Sequence, residues 1–186
     1  MHFSKNPEEL VPYINFDERH FKNTYSDKFL LDWIQNSVNQ NEDFELEFKG
    51  NAPPESNLKR DISCIANYNS GVYCIGFNDD GILIGLKYKA DIVERNIRTA
   101  VGKLRNAEVF FRKISHNNLE GLLVLIARGY QNELVYLGDN VYFRHGSSCI
   151  QANPRKSVDL NKKIQSQQNG HLWLKSLRKY HNFSNK

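Results

Sequence analysis

The sequence predicts an α+β domain in which a mixed, mostly antiparallel sheet is flanked by helices. Two patterns support this fold class. The first third of the chain has the order helix, strand, helix, and the remainder is rich in short strands interrupted by one further helix. The chain of 186 residues can form one domain that buries roughly 70% of the surface of its unfolded form. Its 40% hydrophobic and 25% charged residues are typical of a folded globular protein.

Two helices and a strand are predicted in the first third. The segment "SDKFLLDWIQNSV" begins with Ser26, a suitable N-cap, and its apolar residues recur at the spacing of one helical face. In "DFELEFKG" apolar and charged residues alternate, which is the period of a half-buried strand. In "PPESNLKRDISCIANYNSG" prolines precede the first helical turn and Gly71 follows the last. The apolar face of this second helix consists of Leu58, Ile62, Ile65 and Ala66.

The remainder is dominated by short strands. "GVYCIGF" and "ILIGL" are predicted to form a hairpin around the turn "NDDG". A third helix, "ADIVERNIRTAVGKLR", is expected to direct inward Ile92, Ile97, Val101 and Leu104. The further predicted strands are "EVFFRKI", "LLVLIARG", "ELVYLG" and "DNVYFRHG". The segment "GHLWLKSLRKYHNF" has the spacing of a helix, and docking on the core is favoured over pairing with another subunit or with nucleic acid.

The chain is predicted to comprise an N-terminal extension (1–25), a core domain (26–155) and a basic C-terminal segment with a helix (156–186). No apolar run reaches the roughly 20 residues of a membrane-spanning helix, and the start lacks the order of a secretory signal. We therefore expect a cytoplasmic protein, or a nuclear one in a eukaryote, without a membrane partner. The three cysteines lack C-x-x-C spacing, so we expect reduced thiols at Cys64, Cys74 and Cys149.

The net charge of +4 is unevenly distributed. Beyond residue 154 the single acid is Asp159, whereas the basic residues are Arg155, Lys156, Lys162, Lys163, Lys175, Arg178, Lys179 and Lys186. Such a segment favours binding to a polyanion such as nucleic acid, and a solvated tail is the alternative.

Carboxylates are concentrated around the first predicted strand and in the "NDDG" turn. Glu42, Glu47 and Asp79 are of the right kind to hold magnesium or manganese for phosphodiester hydrolysis. On a continuous strand, however, Glu42 and Glu47 point to opposite faces, so the chain would have to bend between them. The simplest interpretation of Glu45 and Glu47 is the solvated face of an amphipathic strand, and the turn residues need no function. Zinc-protease, P-loop and α/β-hydrolase motifs are absent from the sequence.

Three blocks, "EDFELEFKG", "DISCIANYNSGVYCIGFNDDGILIGL" and "VYFRHGSSCIQA", are similar in order and spacing to the Schlafen core domain. That domain is grouped with the AlbA-like nucleic-acid-binding domains, and the similarity covers about residues 42–152. The resemblance implies a Schlafen/AlbA-like single domain. The chain differs where the family has a Gly-Gly pair, because Ser70 precedes Gly71 here.

The resemblance further implies that Glu42, Glu47 and Asp79 form a metal-dependent site that cleaves transfer RNA or related structured RNA. Lys49 would stabilise the charge of the transition state. Residues expected near a phosphate backbone are Lys49, Lys59, Arg60, Arg144, Arg155 and Lys156. Since eukaryotic members of the family pair two such lobes, the resemblance implies a homo-dimer or a hetero-oligomer with another Schlafen-like lobe.

The sequence therefore supports three hypotheses. The first is an endoribonuclease that depends on magnesium or manganese. The second is a non-catalytic module that binds RNA or DNA, or partners an active lobe. The third is a protein-interaction scaffold that uses the aromatic C-terminal helix.

Overall fold

The computed structural model describes residues 18–38, 40, 44–129, 133–166 and 172–184. It has the predicted α+β architecture. The elements in chain order are α1 (Glu18–Thr24), α2 (Asp27–Val38), β1 (Glu45–Lys49), α3 (Glu55–Tyr68), β2 (Gly71–Ile75), α4 (Ala90–Val101), β3 (Leu104–Arg105), β4 (Ala107–His116), β5 (Leu119–Arg128), β6 (Tyr136–Leu137), β7 (Asn140–His145), β8 (Ser148–Gln151), α5 (Pro154–Ser166) and α6 (Leu172–Ser184).

The strands form two sheets. The first has the order β1-β2-β5-β4, and the second has the order β3-β6-β7-β8. Strand β1 is parallel to β2 because α3 connects them as a crossover, and the other pairings are antiparallel. Strand β1 is thus at an edge of the first sheet, where no other strand of the described residues pairs with one side of its backbone.

Helices cover both faces of the first sheet. Residues Val72 and Cys74 of β2 pack in one core with α2 and α6, while Tyr73 and Ile75 pack in a second core with α3 and α4. Because both faces are covered, the central strands are apolar throughout, as expected for strands buried on two sides. Strand β5 is buried from Gly121 to Arg128.

Helix α3 is buried on more than the one predicted face. All residues from Ile62 to Asn67 are buried, because the second sheet covers the side of α3 that the first sheet does not. The Asn67 side chain donates to the backbone oxygens of Val135 and Tyr142, each at 2.9 Å, and accepts from the Val135 N–H at 2.7 Å. These three hydrogen bonds fasten α3 to the second sheet.

The turn after α3 depends on Ser70 and Gly71. Ser70 has φ +69°, a conformation that glycine adopts more readily. Its hydroxyl accepts a hydrogen bond from the Leu172 N–H at 3.2 Å, so the serine anchors the first residue of α6. At Gly71 a Cβ would lie 2.6 Å from the Glu45 carbonyl oxygen, so only glycine fits between α3 and β1.

Two details of the predicted elements are wrong. The segment "ILIGL" is not a strand, because the predicted hairpin consists of one isolated bridge between Phe77 and Leu83. In the turn between them, the Asn78 side chain accepts two backbone hydrogen bonds. In α4 the predicted inward residue Ile92 is 41% exposed, and Val93 is buried in its place. The buried face of α4 consists of Ala90, Val93, Ile97 and Ala100, and because the helix ends at Val101 the predicted inward residue Leu104 lies in β3 instead.

The prediction of three reduced cysteines is also wrong. Cys64 of α3 and Cys149 of β8 form a disulfide with a Cα–Cα distance of 6.0 Å. They are 85 residues apart in sequence, and only the packing of the second sheet on α3 brings them together. Cys74 is a buried free thiol, and burial raises the pKa of that thiol well above its usual range.

Helix α6 docks on the core as predicted. Trp173 and Leu177 are fully buried, and the Trp33 indole N–H donates to the Ser176 hydroxyl at 3.1 Å. The helix therefore belongs to the same core as α2, while the domain boundaries at 25 and 155 stay predictions. Within the described residues, no helix has both the length and the apolar character needed to cross a membrane.

We predict that Asn67→Ala destabilises the domain by about 2–3 kcal/mol, because the buried Val135 N–H and the Tyr142 carbonyl lose their partner. The exposed Asn57 of the same helix is the matched control, and Asn57→Ala should change the free energy of unfolding by less than about 0.5 kcal/mol. Urea unfolding of both variants measures the difference. Equal stabilities of the two variants would contradict the role given to Asn67.

Candidate functional site

Charged side chains gather on one face of the edge strand β1. Glu45, Glu47 and Lys49 alternate with Leu46 and Phe48, which pack in the core with α2. The charged face turns toward the second sheet, from which Arg144 of β7 reaches across to β1. The alternation predicted from the sequence therefore places these three residues together.

Arg144 binds both glutamates. Its Nε donates to Glu45 Oε1 and Oε2 at 3.1 and 3.0 Å, and its Nη2 donates to Glu47 Oε2 at 2.8 Å. Nη1 donates to the Ser147 carbonyl oxygen at 3.0 Å. The Arg144 side chain is only 14% exposed. The guanidinium thus links the two sheets and bridges two carboxylates, and Lys49 supplies the second positive charge at Glu47.

The two glutamates differ in acidity. Burial raises the pKa of Glu47, but hydrogen bonds from Lys49, at 2.5 Å, and from Arg144 outweigh burial, so the pKa of Glu47 lies below its usual value. For Glu45, the effect of burial outweighs that of the nearby Arg144, so the pKa of Glu45 is raised. Glu47 is therefore the more firmly ionised carboxylate at neutral pH.

Asp61 and Tyr73 belong to the same cluster, although no motif in the sequence predicted a role for them. Tyr73 lies opposite Glu47 in the β1–β2 register, and its hydroxyl donates to Asp61 Oδ2 at 3.3 Å. Burial, and then the charge of Glu47, raise the pKa of Asp61. Burial likewise raises the pKa of Tyr73. A tyrosine within an otherwise apolar buried strand is a signal for this contact, since a buried hydroxyl needs a partner.

Of the three predicted metal ligands, the structure places two. Glu47 lies in the cluster, Asp79 is exposed in the turn after β2, and Glu42 lies outside the described residues. The turn that carries Asp79 packs on the face of β1 opposite Glu47. A Cβ at Gly81 of that turn would lie 3.4 Å from the ring of Phe48, which is on that opposite face. In the part of the chain that the structure describes, no three His, Cys, Asp or Glu residues form a group that could hold a metal.

The residues predicted to contact phosphate differ in availability. Lys59 is bound to Glu55 at 2.7 Å, and Arg144 is held as described above. Lys49 and Arg60 are partly exposed, with Arg60 Nε at 4.0 Å from Asp61 Oδ1. Arg155 and Lys156 are exposed in the first turn of α5. Not all six residues can therefore offer hydrogen bonds to a ligand in this conformation.

Helix α5 carries a basic stripe, which we define as Arg155, Lys156, Lys162 and Lys163. All four are exposed, and none forms an ion pair with another described residue. The opposite side of α5 is anchored by its buried residues, Leu160 and Ile164. Tyr68, at the end of α3, is 43% exposed, and Lys163 Nζ lies 6.0 Å from the centre of its ring. Cations and an aromatic ring thus share this surface.

A family model described as "Schlafen, AlbA_2" matches residues 42–153. These residues include the charged group described above, which we call the Glu47 cluster: Glu45, Glu47, Lys49, Asp61, Tyr73 and Arg144. No curated protein matches the chain. The crystal structure of the DIP2311 protein from Corynebacterium diphtheriae is similar, with 18% sequence identity and a TM-score of 0.43. The match covers 67% of this chain and 24% of that chain, so this chain spans about a quarter of the length of that protein.

We predict that Arg144→Ala destabilises the domain by about 1–3 kcal/mol at pH 7, because Glu45 and Glu47 lose their shared partner. Without Arg144, burial raises the pKa of Glu45 further, and Glu47 loses one of the two cations that hold its pKa down in the folded state. The resulting penalty exists when they are ionised and is relieved as the pH falls toward their unfolded pKa.

Urea unfolding should therefore show that Arg144→Ala loses more stability relative to the wild type at pH 7 than at pH 4. Arg105, whose ion pair with Asp139 is exposed, is the matched control, and Arg105→Ala should cause little change at either pH. A deficit of Arg144→Ala that is the same at both pH values would contradict the proposed charge coupling.

Proposed function

Because this chain belongs to the Schlafen, AlbA_2 family, we propose that it is a nucleic-acid-binding domain that binds RNA through the basic stripe of α5. The observation that carries this proposal is the row of exposed cations beside an exposed tyrosine ring. The family relates the chain to nucleic-acid function, and the stripe supplies the charge that such binding requires.

The geometry of the stripe suits a phosphate backbone. Arg155 and Lys162 are seven residues apart, which places them roughly 10 Å apart along one side of the helix. Asp159 is the only acid of α5, so the helix is net positive. Lysine and arginine bound to phosphates release counterions, and this release favours binding at low salt.

Tyr68 offers a surface for a base. Unpaired bases stack on aromatic rings whatever their sequence, and single-stranded RNA is commonly bound in this way. Since Lys163 lies over the same ring, a base at Tyr68 would bring its phosphate near the stripe. This arrangement favours an unpaired or loop segment over a duplex, and RNA is therefore preferred to double-stranded DNA in our proposal.

The chain offers few cations for strong binding by one lobe. Proteins with steep salt dependence make roughly 6–10 phosphate contacts, whereas the stripe has four basic residues. We therefore propose that two lobes act together, either as a homo-dimer or with another Schlafen-like lobe.

Metal-dependent endoribonuclease activity is the second candidate. The observation that favours it is the group of carboxylates with shifted pKa values, Glu45, Glu47 and Asp61, at the open edge of a sheet. In this candidate Glu42, Glu47 and Asp79 would hold magnesium or manganese, Lys49 would stabilise the reacting phosphate, and transfer RNA or related structured RNA would be cleaved.

The described residues do not fit a metal ion in this conformation. Glu47 Oε1 accepts from Lys49 and Glu47 Oε2 accepts from Arg144, so both oxygens already have cationic partners. A metal at Glu47 would have to displace one of them. Binding without cleavage is for this reason the function that the geometry supports best.

We predict that Lys162→Ala combined with Lys163→Ala weakens binding to single-stranded RNA and reduces its salt dependence. Each lost contact should lower the slope of log K against log salt by about 0.7. The control is Lys22→Ala combined with Lys28→Ala, which removes the same charge from exposed positions of α1 and α2. Fluorescence anisotropy over a range of salt concentrations measures both.

An equal loss of affinity in both double variants would show a general charge effect and would contradict the assignment to α5. An absence of binding to RNA and DNA at low salt would contradict the proposed function and favour a protein-interaction scaffold.

We predict further that the wild-type protein binds transfer RNA equally well with magnesium, manganese or a chelator, and leaves it intact. Glu47→Ala should bind as tightly as the wild type, and Asp139→Ala serves as the control at a fully exposed carboxylate. Gel shift and denaturing gels give binding and cleavage in the same samples. Metal-dependent fragments that disappear in Glu47→Ala, but not in Asp139→Ala, would establish the nuclease instead.

A further inference from the structure

A cavity lies apart from both the Glu47 cluster and the stripe of α5. It is formed by the loop after β1 (51–53), the start of α3, the segment 86–88 and the first part of α4, and it encloses about 590 Å³. No residue of the Glu47 cluster lines it. Pockets for small ligands have volumes of roughly 300–1,000 Å³. The size of this cavity is therefore sufficient for a nucleotide.

The cavity combines an apolar floor with an exposed ring. Leu58, Val93 and Ile97 form its buried side and also belong to the core between α3, α4 and the first sheet. Tyr88 is 61% exposed and Ile92 is 41% exposed at its opening. A flat aromatic ring and a β-branched side chain at one opening are suited to a flat, largely apolar ligand such as a nucleobase.

Side-chain amides line the same cavity. The Asn51 oxygen accepts from the Lys87 N–H at 3.3 Å, which leaves the Asn51 NH₂ group available. Asn96 lines the cavity and makes no side-chain hydrogen bond with another described residue. Amides carry both donors and acceptors, as do the edges of nucleobases. Both asparagines are exposed, so water satisfies their amides when no ligand is bound, and the edge of a base can replace that water with matching donors and acceptors.

The rim of the cavity is positively charged. Lys59 and Lys103 both bind Oε1 of the lining residue Glu55 at 2.7 Å, so two ammonium groups share one carboxylate. Lys87 adds a third, with Nζ at 5.6 Å from the centre of the Tyr88 ring. The excess of positive charge beside an apolar cavity complements a phosphate attached to a base.

We propose that this cavity is a nucleotide-binding site, in which the base stacks on Tyr88, its edge meets Asn96 and Asn51, and the phosphate lies near Lys87 and Lys103. The ligand is either a free nucleoside monophosphate or one unpaired nucleotide of an RNA strand. Binding of an RNA nucleotide in this cavity rests on the proposed function, whereas binding of a free nucleoside monophosphate does not.

The test measures the binding of adenosine 5′-monophosphate and of a ten-residue oligoadenylate to wild-type protein and to three variants. Tyr88→Ala should weaken binding roughly tenfold or more, which is the usual effect of losing one stacked base. Tyr88→Phe keeps the ring and should bind like the wild type. Phe183→Ala removes an aromatic ring that is 67% exposed on α6 and is the matched control. Thermal unfolding confirms that each variant is folded.

The pattern of results separates the site from the proposed function. If Tyr88→Ala, but neither Tyr88→Phe nor Phe183→Ala, loses binding to both ligands, the cavity binds both the free monophosphate and a nucleotide of RNA. If Tyr88→Ala loses binding only to the oligonucleotide, the cavity binds a nucleotide of an RNA strand. If Tyr88→Ala binds the oligonucleotide as tightly as the wild type and the monophosphate does not bind, the cavity proposal is overturned while the proposed function stands. If the monophosphate binds at Tyr88 and no RNA binds, the proposed function fails and the site remains.

Discussion

Helix α3 is enclosed between two sheets, and its burial determines where the surrounding polar side chains and the second sheet lie. Ile62 to Asn67 are buried on all sides of the helix, so polar atoms enter the core and need partners there. Asn67 satisfies the backbone of Val135 and Tyr142, and the buried Arg128 donates to the Ala66 and Tyr68 carbonyls at the end of the helix. The Asn67 contacts position the second sheet, and Arg128 of β5 fastens the end of α3 to the first sheet.

The functional surfaces follow from the same helix. Its first turn contributes Glu55 and Leu58 to the cavity, its middle contributes Asp61 to the carboxylate cluster, and its last residue is Tyr68 beside the basic stripe. The 14 residues of α3 span about 20 Å, so the three features lie within the reach of a short nucleic-acid segment. Arg144 of β7 joins the second sheet to β1, so the geometry of the carboxylate cluster depends on the position of β7.

Local patterns were sufficient for the elements with a clear period. Ser26 precedes α2 as the predicted N-cap, and its hydroxyl accepts from the Phe29 N–H at 3.2 Å. The second buried side of α3, the disulfide and the Arg144 bridge all depend on the second sheet, whose packing has no local signal in the sequence. Strand alternation placed Glu47 and Lys49 on one face of β1, and the family resemblance placed them in one site. Asp61 joins them only through the tertiary packing of α3 on β1 and β2.

We place bound RNA against α5 and the end of α3. Ultraviolet crosslinking of a single-stranded RNA to the full chain, followed by mass spectrometry of the crosslinked peptides, locates the RNA on the protein. We expect crosslinks at Tyr68 and within residues 154–166. Crosslinks confined to residues 18–38, or none at low salt with intact folded protein, would contradict it.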